Sequence, residues 1–231
     1  MKPTISVVVC AKNEEKYIGE CLRRLDSQRP RPEIVVVDGH STDRTVKLAK
    51  EYADKIVFDN KAGISDARNV GWKAASGEIV AYCDADARPH PGWVGTIMRE
   101  IEGNLAVSGP LSIYDGGLKL KLSFKFWADM LPRFTATVGF NNVWGANMAF
   151  RKDALRKEPF RARFLEDFEI GRRHAKMGKV RFTKALRLSV SSRRFEKSFH
   201  RTSARFYIPA ALRLLLFKDY EQRGYFRQKD N

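Results

Sequence analysis

The feature that most constrains this chain is an alternation in its first 110 residues, where short β-branched runs trade places with longer segments of helical spacing. Ile5-Ser6-Val7-Val8-Val9-Cys10 carries apolar side chains on both sides of a period-two repeat, as a strand buried on both faces requires. Glu14 to Gln28 then places Tyr17, Ile18, Cys21, Leu22 and Leu25 on one helical face, with charges opposite. Glu33 to Val37 predicts a second buried strand that ends at Asp38-Gly39, and Ser41 or Thr42 is placed to cap a helix reaching Ala53. Lys55 to Phe58, Ser65 to Ser76 and Glu78 to Cys83 continue as strand, helix and strand; Gly92 to Glu102, Leu105 to Leu111 and Leu118 to Met130 follow as helix, strand and helix. That order predicts an α/β fold, a mostly parallel and doubly wound sheet with right-handed crossovers.

Past Met130 the pattern loosens. Val143 to Phe150 predicts a strand, Asp167 to Met177 a helix stopped by Gly178, and Arg181 to Ser191 an extended segment. Phe195 to Tyr220 has helical spacing, broken or restarted at Pro209. This part reads as a subdomain built onto the first half.

Charge divides the chain unevenly. Residues 1–150 carry 20 basic and 18 acidic side chains, whereas residues 151–231 carry 23 and 9, so nearly all of the +16 excess sits in the last third. A one-signed field over so short a segment points to an anionic partner: nucleic acid, lipid headgroups or a phosphorylated substrate. No run reaches the ~18–20 apolar residues of a spanning helix. The start, Met1-Lys2-Pro3-Thr4-Ile5, leads straight into the first strand, and the three cysteines are too few and too scattered for a disulfide framework or a four-cysteine zinc site. A cytoplasmic protein is the expectation, with the cytoplasmic face of a membrane as the alternative place for it.

In an open parallel sheet, ligands gather at the carboxyl ends of the strands. The first, second and fourth strands end there in Lys12-Asn13-Glu14, Asp38-Gly39-His40-Ser41 and Asp84-Ala85-Asp86. Neither a glycine-rich dinucleotide fingerprint nor a phosphate loop is present, so a glycine-rich loop is not what holds the ligand. Asp84 and Asp86 project two hard carboxylates from one strand end, a spacing suited to Mn²⁺ or Mg²⁺ with positions left for phosphate oxygens and water. An ordinary acidic turn would read the same in isolation.

These segments together resemble an inverting nucleotide-sugar glycosyltransferase of family 2. The likeness runs in order through Ile5–Val9, Asn13-Glu14, Val35 to Asp43, Ala67-Arg68-Asn69 with Gly71, Gly77-Glu78-Ile79, Asp84-Ala85-Asp86, Gly145 to Arg151 and Glu166-Asp167. It implies a GT-A type, Rossmann-like, mostly parallel sheet flanked by helices, with a basic C-terminal acceptor subdomain. It also implies roles. Glu14 and Asp38 would face the nucleobase and ribose, Arg68 would reach the nucleotide, and Ala11, Asn13 and Asn69 would bind the nucleotide-sugar. Asp84 would reach the ribose or the metal, and Asp86 would ligate a divalent cation on the diphosphate. Asp167 would be the general base, with Glu166 beside it. Such chemistry needs both ends: a diphosphate leaves well only when its charge is neutralised, and an acceptor hydroxyl needs a carboxylate to take its proton. Arg193 and Arg194 are placed to clamp the diphosphate by bidentate hydrogen bonds, and His200 is a further metal candidate. The Gln-x-x-Arg-Trp motif of processive members is missing, with Ser192-Arg193-Arg194-Phe195 nearest its place, so single transfers are expected.

The expected partners are a UDP- or GDP-sugar and a lipid-linked or phosphorylated acceptor such as a polyprenyl phosphate, with no nucleic acid. The apolar run Ile208 to Phe217, interrupted only by Arg213 and flanked by Arg201, Arg205, Lys218 and Arg223, is short for a span but suits an interfacial helix. The expected division is a GT-A domain over residues 1–195, with a nucleotide-sugar part to about 110 and an acceptor part beyond it, then a basic helical extension over 196–231. Two rivals stand beside this reading. A sugar-1-phosphate nucleotidyltransferase would need a glycine-rich loop where Ala11-Lys12-Asn13-Glu14-Glu15 has none, and a nucleic-acid-binding protein would leave the ordered carboxylates without purpose.

Overall fold

The computed structural model describes residues 4–126, 143–162 and 165–193. Its main sheet holds β1 (Ile5–Ala11), β2 (Glu33–Asp38), β3 (Lys55–Phe58), β4 (Ile79–Asp84), β6 (Ala106–Ser108), β8 (Asn147–Arg151) and β9 (Val180–Phe182), in the order β3-β2-β1-β4-β8-β6-β9. Strands β3, β2, β1 and β4 run parallel, and β8 alone is antiparallel to its neighbours β4 and β6. A second sheet joins β5 (Ala87–Pro89), β10 (Leu188–Val190) and β7 (Leu111–Ile113).

Both faces of the main sheet are covered, which is why its strands are apolar on both sides. Ile5, Val7 and Val9 pack with Ile18, Cys21, Leu22 and Leu25 of α1 (Ile18–Asp26), Ala49 of α2 (Thr45–Ala49) and Val94 and Ile97 of α4 (Trp93–Glu100). Val8, Val35 and Val37 face the other way, onto Ala67 and Trp72 of α3 (Ile64–Ala74), Leu155 of α6 (Lys152–Lys157) and Ile170 of α7 (Glu166–Met177). Residues 118–126 form helix α5, which exposes Leu118, Leu122 and Phe126.

Several expected boundaries shift. The first helix starts at Ile18, not Glu14, because residues 14–17 form the turn that leaves the strand. Neither Ser41 nor Thr42 caps α2: Ser41 Oγ accepts from the Asn13 N–H, the Thr42 N–H donates to Asn13 Oδ1, and Asp43 Oδ1 takes the Thr45 N–H. The strand expected over Leu105–Leu111 is two strands in two sheets. The chain turns between them at Gly109-Pro110, where a Cβ on Gly109 would stand 1.8 Å from the Leu186 carbonyl oxygen. Arg181 to Ser191 likewise divides between β9 and β10. The helix expected over 195–220 lies outside the described residues.

Candidate active site

Level strand ends build one polar edge. Ala11 stands opposite Asp38, and Cys10 opposite Asp84, so the ends of β1, β2 and β4 open at the same height. Because β8 runs the opposite way, with Asn147 beside Cys83, its amino end delivers Trp144-Gly145-Ala146 to this edge too. Asn147 is fully buried and fastens the junction, accepting from Trp93 Nε1 at 2.9 Å and donating to the Leu186 carbonyl at 2.8 Å.

The two loops on the nucleotide side are tied to each other. Gly39 N–H donates to the Ala11 carbonyl at 2.8 Å, Glu14 N–H to Thr45 Oγ1 at 2.7 Å, and Glu15 N–H to Asp43 Oδ2 at 3.1 Å. Asn13 and His40 sit in the left-handed region, at φ 54° and 60°, an uncommon conformation for residues with a Cβ and one that gathers at functional loops. Asn13 contributes its amide to the loop tie, and Ala11 its carbonyl.

Glu14 and Asp38 are buried carboxylates with oxygen to spare. Asp38 Oδ2 accepts from the Ser41 N–H at 2.8 Å, while its Oδ1 and the Oε2 of Glu14 are buried with no protein hydrogen bond among the described residues. A buried unsatisfied polar atom costs ~1–3 kcal/mol, so the pair calls for donors from a ligand or from water. Beside them, burial pushes the Cys10 thiol up to about 12, which removes it as a nucleophile.

Asp86, only 4% exposed, meets a cation supplied by the chain itself. Arg193 Nε donates to Asp86 Oδ2 at 2.9 Å, its Nη2 donates to Glu14 Oε1, and its guanidinium lies 4.6 Å from the centre of the Tyr17 ring. An open cavity of about 340 Å³ adjoins this arginine, lined by Asn13, Glu15, Lys16, Tyr17 and Asp43. A larger cavity near Arg23, Arg24 and Arg29 lies away from the strand ends, and those arginines are already bonded to Glu20 and to backbone carbonyls.

Arg68 interacts electrostatically with both Asp84 and the Glu166–Asp167 pair. It is buried on α3, 5% exposed, and pairs with Glu166 Oε1 while lying 6.0 Å from the Tyr82 ring centre and 5.5 Å from that of Phe160. Burial works against its charge, but the neighbouring carboxylates, Glu166 first and then Asp84, outweigh burial and hold it above its ordinary value. Asn69, one residue on, engages its whole amide in scaffolding: Nδ2 donates to the Phe160 carbonyl, and Oδ1 accepts from Trp72 Nε1 and the Phe160 N–H.

Asp167 is the second residue of α7, which starts at Glu166 directly after Leu165, left-handed at φ 51°. Its Oδ2 accepts from the Gly145 N–H at 3.0 Å, and its Oδ1 from the Phe168 N–H. Desolvation first, then the neighbouring Glu166 charge, raises the carboxyl from 3.8 to about 7 against the pull of Arg68. A Cβ on Gly145 would stand 2.5 Å from Arg68 Nη2 and 3.3 Å from Asp167 Oδ2, so any larger residue here displaces the guanidinium. A half-neutral carboxyl at the mouth of a polar edge has the proton affinity of a general base working near neutral pH.

The donor set fits a divalent cation held jointly with a diphosphate. Asp84 and Asp86 offer hard oxygens from one strand end, and the Arg193 guanidinium already shows positive charge to be favoured at Asp86. Among the described residues no three His, Cys, Asp or Glu side chains form a metal cage, so the remaining ligands would come from substrate oxygens and water.

Of the expected site residues, Ala11, Asn13, Glu14, Asp38, Asp84, Asp86 and Arg193 thus share one edge, and Arg68, Glu166 and Asp167 form a second cluster electrostatically joined to it through Asp84. Arg194 and His200 lie outside the described residues. Tyr17 and Gly145 are the additions. Tyr17 reads from the sequence as part of a buried helical face, and nothing in its spacing marks it as the floor beneath an arginine 176 positions away.

Comparison with known proteins gives a family. Residues 6–158 match Glycosyl transferase family 2. Glycosyltransferase AglE of Haloferax volcanii is 32% identical over 110 residues, covering 44% of this chain and 36% of that protein. The matched stretch spans about a third of the curated relatives' length, 36% and 30% for the first two. In three dimensions the chain resembles mannosyltransferase PcManGT of Pyrobaculum calidifontis, solved with GDP-Man and Mn²⁺, at a TM-score of 0.68 and 21% identity over 96% of this chain and 66% of that one. It also resembles glucosyl-3-phosphoglycerate synthase of Mycobacterium tuberculosis, solved with Mn²⁺, UDP-Glc and phosphoglyceric acid, at a TM-score of 0.65 and 22% identity over 92% and 79% of the two chains. At such identities the two structures speak for the GT-A architecture, and the match over residues 6–158 places this chain in glycosyl transferase family 2.

Proposed function

We propose that the chain transfers a monosaccharide from a nucleoside-diphosphate sugar, with inversion and with a divalent cation, to a hydroxyl or phosphate acceptor. The observation that carries this reading is the electrostatic bridge through Arg68, which joins the strand-end carboxylate Asp84 to the Glu166–Asp167 pair. In this reading the leaving-group site at the strand ends and the base site at Asp167 act on one sugar.

The geometry supports these roles. The unsatisfied oxygens of Asp38 and Glu14 can accept from the ribose hydroxyls or the base. A cation at Asp86 and Asp84 supplies, when bound, charge opposite the diphosphate. The acceptor oxygen attacks the anomeric carbon from the side away from the diphosphate; its bond to that carbon forms as the carbon–phosphate-oxygen bond breaks, and the electron pair leaves on the diphosphate. Asp167 takes the proton of a hydroxyl acceptor. Gly145 N–H and Phe168 N–H hold the carboxylate in place for that transfer.

For the acceptor we favour a lipid-linked phosphate, with the nucleotide-sugar part in residues 1–110, the acceptor part in 111–195 and a basic membrane-facing extension in 196–231. Two features support this: the +14 charge of residues 151–231, and Leu118, Leu122 and Phe126 exposed at helical spacing on α5. Among the described residues no helix is long and apolar enough to cross a membrane.

Calorimetry with UDP and GDP, with and without Mn²⁺, tests the donor half. Binding of one nucleotide should require Mn²⁺ and be lost in Asp86→Ala. Equal affinity in EDTA, or an unaffected variant, would defeat the reading.

A further inference from the structure

One arginine occupies the position that the proposed chemistry assigns to other cations. The planar fork of Arg193 joins carboxylates contributed by two separate loops, Glu14 after β1 and Asp86 after β4, and its face rests on Tyr17. The side chain is 29% exposed while those of its partners are 9% and 3% exposed, so the pairing settles two nearly buried negative charges at once. Breaking a buried pair from one side leaves an uncompensated charge, which is costly. A metal ion arriving alone would have to expel this guanidinium. In exchange it would gain few protein oxygens, since no cluster of three metal-ligating acidic, histidine or cysteine side chains exists among the described residues.

A nucleoside diphosphate changes that balance in two ways. Its phosphate oxygens complete the coordination of the metal, and they also offer the displaced guanidinium a bidentate partner of the kind arginine prefers. We propose that Arg193 is a resident counter-cation which makes divalent-metal binding conditional on the nucleotide, releasing Asp86 to the metal only when a diphosphate is there to receive it. The inference rests on the nucleotide-sugar reading and adds an order to it: free metal is refused, and metal and nucleotide are taken together. By linkage the coupling is reciprocal, so the nucleotide tightens metal binding by the factor by which metal tightens the nucleotide.

Mn²⁺ binding followed by electron paramagnetic resonance tests this without any turnover. Wild-type protein should bind Mn²⁺ alone weakly and at least ~10-fold more tightly with saturating UDP or GDP, a coupling of ordinary allosteric size. Arg193→Gln should bind Mn²⁺ alone at least ~10-fold more tightly than wild type, while its affinity for the nucleotide in Mn²⁺ falls by a similar factor. Arg193→Lys, which keeps the charge but not the fork, should lie between them. Glu14→Gln, which loosens one arm of the fork and leaves Asp86 intact, should also raise affinity for Mn²⁺ alone, and it serves if the arginine variant fails to fold. If Mn²⁺ alone binds these variants no better than wild type, the counter-cation role is wrong while the donor site stands. If no nucleotide strengthens Mn²⁺ binding to wild type, the nucleotide-sugar reading and this inference fall together.

Discussion

Replacing Asp167 with Asn should give a protein whose stability relative to wild type changes sign with pH. Raising the carboxyl from 3.8 to about 7 corresponds to about 4 kcal/mol between its two protonation states. In wild type the favourable contribution is fully present below about pH 4, where folded and unfolded chains are both protonated, and is lost as pH rises through 7. The Asn side chain does not ionise, so it escapes that loss. It has its own penalty, because both carboxyl oxygens accept backbone N–H groups, from Gly145 and Phe168. The amide nitrogen must then face one of those donors, at ~1–3 kcal/mol. The variant should accordingly be less stable than wild type by ~1–3 kcal/mol at pH 3, where wild type has lost nothing, and more stable by ~1–3 kcal/mol at pH 9. Denaturant unfolding at both pH values reads the stability crossing. In the proposed mechanism the same carboxyl is the base, so wild-type kcat/KM should rise through about pH 7 as it deprotonates. The variant should lose that limb and ~10²–10⁴ in rate while keeping nucleotide affinity. Parallel stability curves, or transfer by the variant at wild-type rate, would show Asp167 to be a helix-start residue and nothing more.

Three further outcomes follow from the site. Glu166→Gln removes the like charge that helps raise Asp167, so the acid limb of kcat/KM should move to lower pH; losing the partner of buried Arg68 should also lower stability by up to ~3–5 kcal/mol, read by thermal unfolding. Gly145→Ala forces Arg68 or the β8 lead-in to shift, which should cost ~1–3 kcal/mol and reduce transfer more than nucleotide binding in calorimetry. Leu215→Glu should reduce the salt-resistant part of binding to anionic liposomes in a sedimentation assay, whereas charge reversal at Arg201 and Arg205 should reduce the salt-sensitive part.

The nucleotide side of the site was legible because it is made of local signals. A strand that is apolar on both faces can lie only inside a sheet, and parallel neighbours put Glu14, Asp38 and Asp84 at one edge whatever their spacing along the chain. The second sheet was not legible. Its strands are three residues each, too short to show a period, and Leu188–Val190 pairs with segments about 75 and 100 positions earlier. The direction of β8 was equally hidden, since Asn147–Arg151 has the same apolar run whether it lies parallel or antiparallel. The contact of Arg193 with Asp86 and Glu14 spans 107 and 179 positions, and only folding reveals that an arginine expected to grip a diphosphate also reaches these two acidic residues. Asp167 was found by its place in a familiar order of motifs, but its raised proton affinity comes from burial and from Glu166, which no spacing rule reports.

The loop ties between residues 13–15 and 38–45 bear on how tightly any nucleotide is held. Five hydrogen bonds cross that gap between backbone N–H groups and opposing acceptors, from Asn13 to Ser41, Glu14 to Thr45, Glu15 to Asp43, Thr42 to Asn13 and Arg44 to Glu15. Both walls of the nucleotide side are therefore rigid before a ligand arrives, and association does not have to freeze them. Ordering a loop side chain ordinarily takes ~0.5–1.5 kcal/mol from an association, and here that loss is already met in folding. Binding on this side should then be fast and nearly rigid-body in character, with a small entropic penalty. Severing the tie, as in Thr45→Val, should weaken the nucleotide through its on-rate and its entropy without removing a single atom that touches it.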